Sequence, residues 1–271
     1  MGAIDQDPWF LSDKLEGKYP VASPDELADE WHAYTERETH ALQGVLGAYA
    51  KPVGEVCAVA SIDLCEVTRD TAVSLGDLVG EPLERGQYSE GTWYSVENMG
   101  LDFEYSVVLG GLQHLMNNDL VGAIPGIDEV SHTLRGWREQ GVYMAANTST
   151  LPGCELATIR HHLEKDLKGC FDALLLPRNY DGRGKMTKAQ ALDVLGQEAG
   201  IDIGALPLVH IDDATHHVQG FIDHFGDHPT SAFLMPAHNY NQAPVAEMRC
   251  EDPPEAFARA HEFLQKQGVL Q

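Results

Sequence analysis

The stretch Leu206-Pro207-Leu208-Val209-His210-Ile211-Asp212-Asp213 is a short apolar run that ends on two carboxylates. A run of this length bounded by charge is the pattern of a strand buried on both faces, as in a parallel sheet. Four more runs read the same way: Val56 to Ile62, Val142 to Ala146, Ala173 to Leu176 and Ala232 to Met235. Amphipathic segments of helical length separate them, at Glu129 to Gln140, Leu156 to Leu167, Lys188 to Ala199 and His216 to His224, and a last one runs from Pro254 to Gln267. This alternation predicts an α/β fold, a three-layer Rossmann-like core around a parallel sheet.

The regular order breaks once. About 80 residues separate the first two strands where one crossover needs roughly 30, so an insert, read as a helical cap, is expected over 69–124. Upstream, Ser23-Pro24-Asp25-Glu26 is a capping box with proline at the first helical position. Leu27, Trp31, Tyr34, Leu42, Val45, Leu46 and Tyr49 then recur at helical spacing, predicting one long helix that Lys51-Pro52 ends. The expected organisation is an N-terminal arm and helix over 1–52, a core over 53–68 and 125–271, and the insert between them.

The 271 residues carry 18 Lys and Arg against 42 Asp and Glu, a net charge of −24. Such a surface repels phosphate backbones, which makes extended nucleic acid an unfavourable partner. No window approaches the roughly 18 continuous apolar residues of a membrane span, and the first residues lack the order of a signal peptide. The five cysteines are scattered, without metal-knuckle or redox spacing, and fit a reducing cytoplasm. Association into a homo-oligomer is left open by the sequence.

In an open parallel sheet, ligands bind beyond the carboxyl ends of the strands. The first run ends in Ile62-Asp63-Leu64-Cys65-Glu66, the second in Asn147-Thr148-Ser149-Thr150, and the fourth in Asp212-Asp213. Carboxylates from two strand ends make an oxygen-rich site suited to Mg²⁺, usually completed by substrate phosphate. Thr187 and Gln190 form a second capping box and place Lys188 in the first turn of a helix, where the dipole disfavours a cation. Arg178, Asp181, Arg183 and Lys185 gather several of the few cations into the loop before it. A carboxylate in this setting can attack phosphorus, while Thr148 and Lys188 hold the phosphoryl oxygens.

Blander readings stand beside these. Asp63 also suits a turn or helix cap, Lys188 a solvated helix face, and the Arg178 to Lys185 loop a solvated surface. His210, His216, His217, His224, His228 and His238 crowd the C-terminal third, but no spacing matches a zinc signature, and they read as core or solvated histidines.

Taken together, the motifs resemble the haloacid-dehalogenase-like superfamily, over roughly Glu55 to Asn241. Asp63 falls at the place of that family's nucleophilic aspartate, Thr148 near the second motif's hydroxyl, Lys188 at the third motif's lysine, and Asp212-Asp213 at the acidic fourth motif. Met235 to Asn241 is similar to a loop of the 5′-nucleotidase-like branch, and Arg178, Asp181, Arg183 and Lys188 resemble the polynucleotide-phosphatase branch. The resemblance implies a Mg²⁺-dependent phosphomonoester hydrolase acting on a small phosphorylated metabolite, with a nucleotide favoured. Asp63, the Cys65 backbone carbonyl, Asp212 and Asp213 are then the metal ligands, and Asn147, Arg178 and Arg183 assist substrate binding.

Two departures from the family pattern matter. Its phosphatases place a second Asp two residues after the nucleophile, as general acid and base; here that place is Cys65, followed by Glu66. Glu66 or another group then supplies the proton, or the chain is a catalytically impaired binding or structural protein. A shifted register would instead put Ser61 at the nucleophile and Asp63 at the second acid. The second motif also admits two registers, with Ala146 or Thr148 at the hydroxyl position. Carbon–halogen hydrolysis is a third reading, disfavoured because no Lys or Arg lies between Gly86 and Leu134 to receive halide.

Overall fold

The computed structural model describes residues 21–65, 67–69, 126–127, 130–150, 153–177, 186–228, 230–236 and 245–271. The arm over 1–20, nearly all of the insert, Glu66 and the loop with Arg178 and Arg183 lie outside the described residues.

Eight strands form one sheet: β1 (Thr39–Ala41), β2 (Leu46–Ala50), β3 (Ala58–Ile62), β4 (Val142–Asn147), β5 (Ala173–Leu176), β6 (Leu208–Ile211), β7 (Ser231–Pro236) and β8 (Arg249–Cys250). Their order is β1-β2-β5-β4-β3-β6-β7-β8. All neighbours from β5 to β8 are parallel, while β1 and β2 extend the β5 edge antiparallel. Counted from β3, the six parallel strands run 3-2-1-4-5-6, the doubly wound order whose direction reverses between β3 and β6. The fold is therefore α/β and Rossmann-like.

Period-two alternation splits the strands between two apolar layers. Ala58, Ala60, Ile62, Val142, Met144, Val209 and Ile211 pack with Leu27, Trp31, Trp137 and Phe257. Those last four come from α1 (Pro24–Thr35), α2 (Val130–Glu139) and α6 (Pro253–Lys266). Val59, Tyr143, Ala145 and Leu208 face the other way, onto Leu192 and Leu195 of α4 (Lys188–Ala199) and Phe221 of α5 (Thr215–Phe225). No described helix is long and apolar enough to cross a membrane.

Two helical expectations are corrected. The long helix over residues 24–50 ends at Thr35, where Glu36 turns left-handed (φ 54°) and its N–H caps onto the His32 carbonyl. Leu42, Val45, Leu46 and Tyr49 belong instead to the β1–β2 hairpin and its turn, so part of 1–52 is built into the sheet. The helix expected over Leu156 to Leu167 is α3 (Glu155–Ala157) followed by a π-helical turn over Thr158–Leu163. Here Glu164 N–H reaches back five residues to the Ile159 carbonyl at 3.1 Å.

Asp172, just before β5, ties the added hairpin and α1 to the core. Its Oδ1 accepts from Arg37 and, at 2.9 Å, from Arg138 Nε, and its Oδ2 accepts from Met144 N–H at 3.2 Å. Its carbonyl accepts from Ala50 N–H at 2.9 Å and Trp31 Nε1 at 3.1 Å. A buried carboxylate with two guanidiniums and a backbone donor satisfies the condition under which buried charge is tolerated.

Glycine is required where β2 meets β5. A Cβ on Gly47 would sit 2.5 Å from the Leu174 carbonyl oxygen and 2.8 Å from Leu42 Cδ1, whereas one on Gly136 in α2 would meet nothing within 4 Å. Gly47→Ala is therefore expected to lose about 1–3 kcal/mol in urea unfolding, while Gly136→Ala gains about 0.4–1 kcal/mol. Equal effects at the two positions would show that the hairpin does not dock on β5 as described.

Candidate active site at the switch point

The crevice between β3 and β6 is where the chain reverses its winding, so the ends of these two strands lie side by side. Backbone pairing continues one residue past each strand: Asp63 N–H donates to the Ile211 carbonyl at 2.9 Å and Asp212 N–H to Leu234 at 3.2 Å. Asp63, Asp212 and Asp213 consequently converge, with one carboxylate oxygen from each within 4.8 Å of the others, and all three are buried. Asp212 Oδ1 also accepts from Ala214 N–H at 2.9 Å, which fixes its rotamer at the turn into α5.

Lys188 enters from α4. The capping box is formed as expected: Thr187 Oγ1 accepts from Gln190 N–H at 3.1 Å, and Gln190 Oε1 accepts from Thr187 N–H at 2.9 Å. This starts the helix so that its first residue points into the crevice. Lys188 Nζ donates to Asp212 Oδ2 at 2.6 Å and lies 2.9 Å from Asp63 Oδ1, with only 1% of its surface exposed. The second contact is an ion pair off hydrogen-bond geometry, and Asp63 Oδ1 has no hydrogen-bond partner among the described residues.

Burial and charge pull these groups apart. Burial pushes Asp63 above its usual range, and the neighbouring Asp212 adds to this while Lys188 opposes it. Burial also works against ionised Asp212, but Lys188, with smaller help from His217, outweighs it and holds that carboxyl well below its usual range. Burial alone would lower Lys188, yet Asp212 and Asp63 together raise it, so the ammonium stays charged. One buried ammonium thus pairs with Asp63 and Asp212, and the Asp213 carboxylate lies beside theirs.

Asn147, Ser61 and His210 form a polar floor one row below. Ser61 precedes Asp63 by two and His210 precedes Asp212 by two, so alternation puts them on the α4/α5 side of the sheet. Asn147 Nδ2 donates to Ser61 Oγ at 3.0 Å and to the Lys188 carbonyl at 2.9 Å. His210 Nδ1 lies 3.2 Å from Ser61 Oγ, and its ring stacks on Phe221 with centroids 3.5 Å apart.

Of the residues singled out from sequence, the structure brings Asp63, Asp212, Asp213 and Lys188 together. Thr148 is buried and continues the sheet, its N–H donating to the Leu175 carbonyl at 3.0 Å. Thr150 Oγ1 is engaged with Thr158 Oγ1 at 3.0 Å, whereas Ser149 Oγ is buried with no hydrogen-bond partner among the described residues. Ser61, offered as a nucleophile in the shifted register, lies inside β3 with its hydroxyl engaged by Asn147. Cys65 is half-buried and bridges to Arg69, whose buried guanidinium lies 3.3 Å from Asp166. From sequence, Asn147 is expected to bind substrate, Ser61 is an alternative nucleophile and His210 reads as a core or solvated histidine; their meeting in one floor is not expected, although the two-residue offset of Ser61 and His210 from Asp63 and Asp212 is a usable signal.

No family model matches the sequence, and no curated protein matches it. Solved structures with a similar chain path include a HAD family hydrolase from Deinococcus radiodurans R1 with bound phosphate and sodium. It is 18% identical, covering 81% of this chain and 99% of that one, at TM-score 0.47. A predicted phosphoglycolate phosphatase from Haemophilus somnus 129pt is 12% identical, covering 78% and 100%, at TM-score 0.48. A HAD-superfamily hydrolase, subfamily IA, from Geobacter sulfurreducens PCA is 12% identical, covering 78% and 99%, at TM-score 0.46. At these values the likeness describes the path of the chain, and the chemistry rests on the side chains themselves.

The buried histidine gives a pH signature with a definite sign. Burial lowers His210 to about 4 from an ordinary value of 6.5. Between those values the unfolded chain binds a proton that the folded chain does not, so stability is complete above pH 6.5 and falls as pH drops towards 4. With chelator present, His210→Phe is expected to flatten the native fall in unfolding free energy over this window by on the order of 3 kcal/mol. Parallel pH profiles for the two proteins would contradict a neutral buried His210.

Proposed function

We propose that this chain is a Mg²⁺-dependent phosphomonoester hydrolase that works through an aspartyl-phosphate on Asp63, with a small phosphorylated metabolite, nucleotides foremost, as substrate. The observation that carries the reading is the set of three buried carboxylates with one ammonium at adjacent strand ends.

The residues fit the metal. Asp63 Oδ1 is a buried oxygen without a hydrogen-bond partner among the described residues, and the donor set is all hard oxygen. Asp63, Asp212 and Asp213, with the Cys65 carbonyl, would hold Mg²⁺, which supplies Lewis-acid neutralisation of the phosphoryl oxygens. Asp63 then attacks phosphorus, the phosphorus–ester oxygen bond breaks, and the departing oxygen takes a proton from an acid. Water next attacks the aspartyl-phosphate at phosphorus, freeing Asp63 and inorganic phosphate. Lys188 and Thr148 steady the equatorial oxygens, and Asn147, Arg178 and Arg183 orient the rest of the substrate.

Glu66 is the assigned acid and base in place of the Cys65 thiol, whose ordinary pKa of about 8.5 suits the role poorly. Cys65 at that position favours a second reading: a binding or structural protein that holds Mg²⁺ or a phosphorylated ligand without turnover.

Phosphate release from nucleoside monophosphates, sugar phosphates and p-nitrophenyl phosphate, with and without Mg²⁺, separates the readings. Under the hydrolase reading, release requires Mg²⁺ and falls by at least about 10³-fold in Asp63→Asn, which removes the nucleophile. If native protein and variant are equally inert while Mg²⁺ or a nucleotide raises the melting temperature, the binding reading replaces it. Metal-independent halide release from haloacids would instead indicate carbon–halogen hydrolysis.

A further inference from the structure

The polar floor beneath the acids closes a ring in which two members, Ser61 and His210, have no part in the proposed reaction. Asn147 Nδ2 holds the Lys188 carbonyl at 2.9 Å and Ser61 Oγ at 3.0 Å. Ser61 Oγ lies 3.2 Å from His210 Nδ1, His210 Nε2 lies 3.6 Å from Asp212 Oδ2, and Asp212 Oδ2 returns to Lys188 Nζ at 2.6 Å. Asn147, Ser61, His210 and Asp212 are all fully buried, so these contacts are not exchanged with solvent.

Counting donors and acceptors fixes the direction of the ring. Ser61 Oγ already accepts from Asn147, so its own proton needs an acceptor, and the acceptor the described contacts offer is His210 Nδ1. If the imidazole instead carried its proton on Nδ1, towards the Ser61 carbonyl at 3.1 Å, the serine proton would be stranded. A bare Nε2 lone pair would also face a carboxylate. With the proton on Nε2, both conflicts vanish, the Nδ1 lone pair lies 3.1 Å from the Ser61 carbonyl oxygen, and an N–H dipole points at Asp212. At 3.6 Å this is a charge–dipole contact rather than a hydrogen bond, and Nε2 has no hydrogen-bond partner among the described residues.

We propose that His210 is a positioning residue for the metal-binding carboxylates, an imidazole held by Ser61 and Asn147 so that its Nε2–H faces Asp212 and keeps that carboxylate aligned with Lys188. The ring couples the two sides of the crevice, because Asn147 fixes the start of α4 and His210 fixes the end of β6. The proposal rests on the metal-dependent reading above for its effect on Mg²⁺, but not for the tautomer.

Two measurements on the full chain test it. Long-range ¹H–¹⁵N correlation spectra of the metal-free protein are expected to show His210 protonated at Nε2 alone; protonation at Nδ1 overturns the proposal. Mg²⁺ titration by calorimetry is then compared for native protein, His210→Phe, which keeps a ring against Phe221, and His210→Gln, which keeps a distal N–H. Outer-shell partners of metal ligands set affinity by about 10- to 100-fold, and His210→Phe is expected at the lower end, about 10-fold weaker, with its melting temperature kept. Recovery in His210→Gln to within about threefold of native supports the donor role. Native affinity in His210→Phe, or equal loss in both variants, overturns it.

Should His210→Phe fail to fold, Ser61→Ala serves instead. It removes the donor to Nδ1 and is expected to shift the tautomer towards Nδ1–H; an unchanged spectrum overturns the proposal. Should the native protein bind no Mg²⁺, the hydrolase reading fails, and the native spectrum still decides the role of His210.

Discussion

The buried ammonium of Lys188, held between Asp63 and Asp212, is the constraint on which the site depends. An isolated cation at this depth would cost several kcal/mol, and a carboxylate pair without it would repel. Neither strand end nor helix start is stable alone in this arrangement, so β3, β6 and α4 are locked into one geometry. The Thr187 capping box supplies the local stability that offsets a cation in the first turn, where the helix dipole is unfavourable. Satisfaction is incomplete, since Asp63 Oδ1 has no hydrogen-bond partner among the described residues.

The opposite pole of the sheet shows the same economy of charge with a different outcome. Asp172 gathers two guanidiniums, a backbone donor and two donors to its own carbonyl, and it leaves no buried carboxylate oxygen without a partner. That network holds α1 and the β1–β2 hairpin against the parallel strands. In a chain with few cations, Arg37 and Arg138 serve this saturated structural hub while Lys188 serves the crevice, where Asp63 Oδ1 lacks a hydrogen-bond partner among the described residues.

How much of this was legible in the sequence follows from the range of each interaction. The five parallel strands and α4, α5 and α6 were readable because short apolar runs and capping boxes are local signals, and Asp63, Asp212 and Asp213 followed from standing just past strand ends. The β1–β2 hairpin was not readable, because Leu42, Val45, Leu46 and Tyr49 satisfy a helical period and a hairpin alike. What decides between them is the left-handed turn at Glu36 and the approach of Gly47 to Leu174, a contact far away in sequence. The depth of Lys188 and the floor of Ser61, Asn147 and His210 were hidden for the same reason. Each joins segments far apart in the chain, and only the sheet order brings them together.

Cys65 sets the chemical limits on whatever Asp63 does. A thiol at that position neither protonates an alkoxide efficiently nor deprotonates water, so both halves of the hydrolysis depend on another group. The first half is the less sensitive, because a phosphate ester with an acidic leaving group departs without a proton. Attack of water on an aspartyl-phosphate has no such escape and needs a base beside it. If Asp63 is the nucleophile, a weak base slows the second step, and phosphorylated Asp63 would accumulate after one turnover. Under the hydrolase reading, the second step is therefore set by whichever group replaces the missing Asp beside the water, and a chain in which no group does so is the binding protein of the second reading.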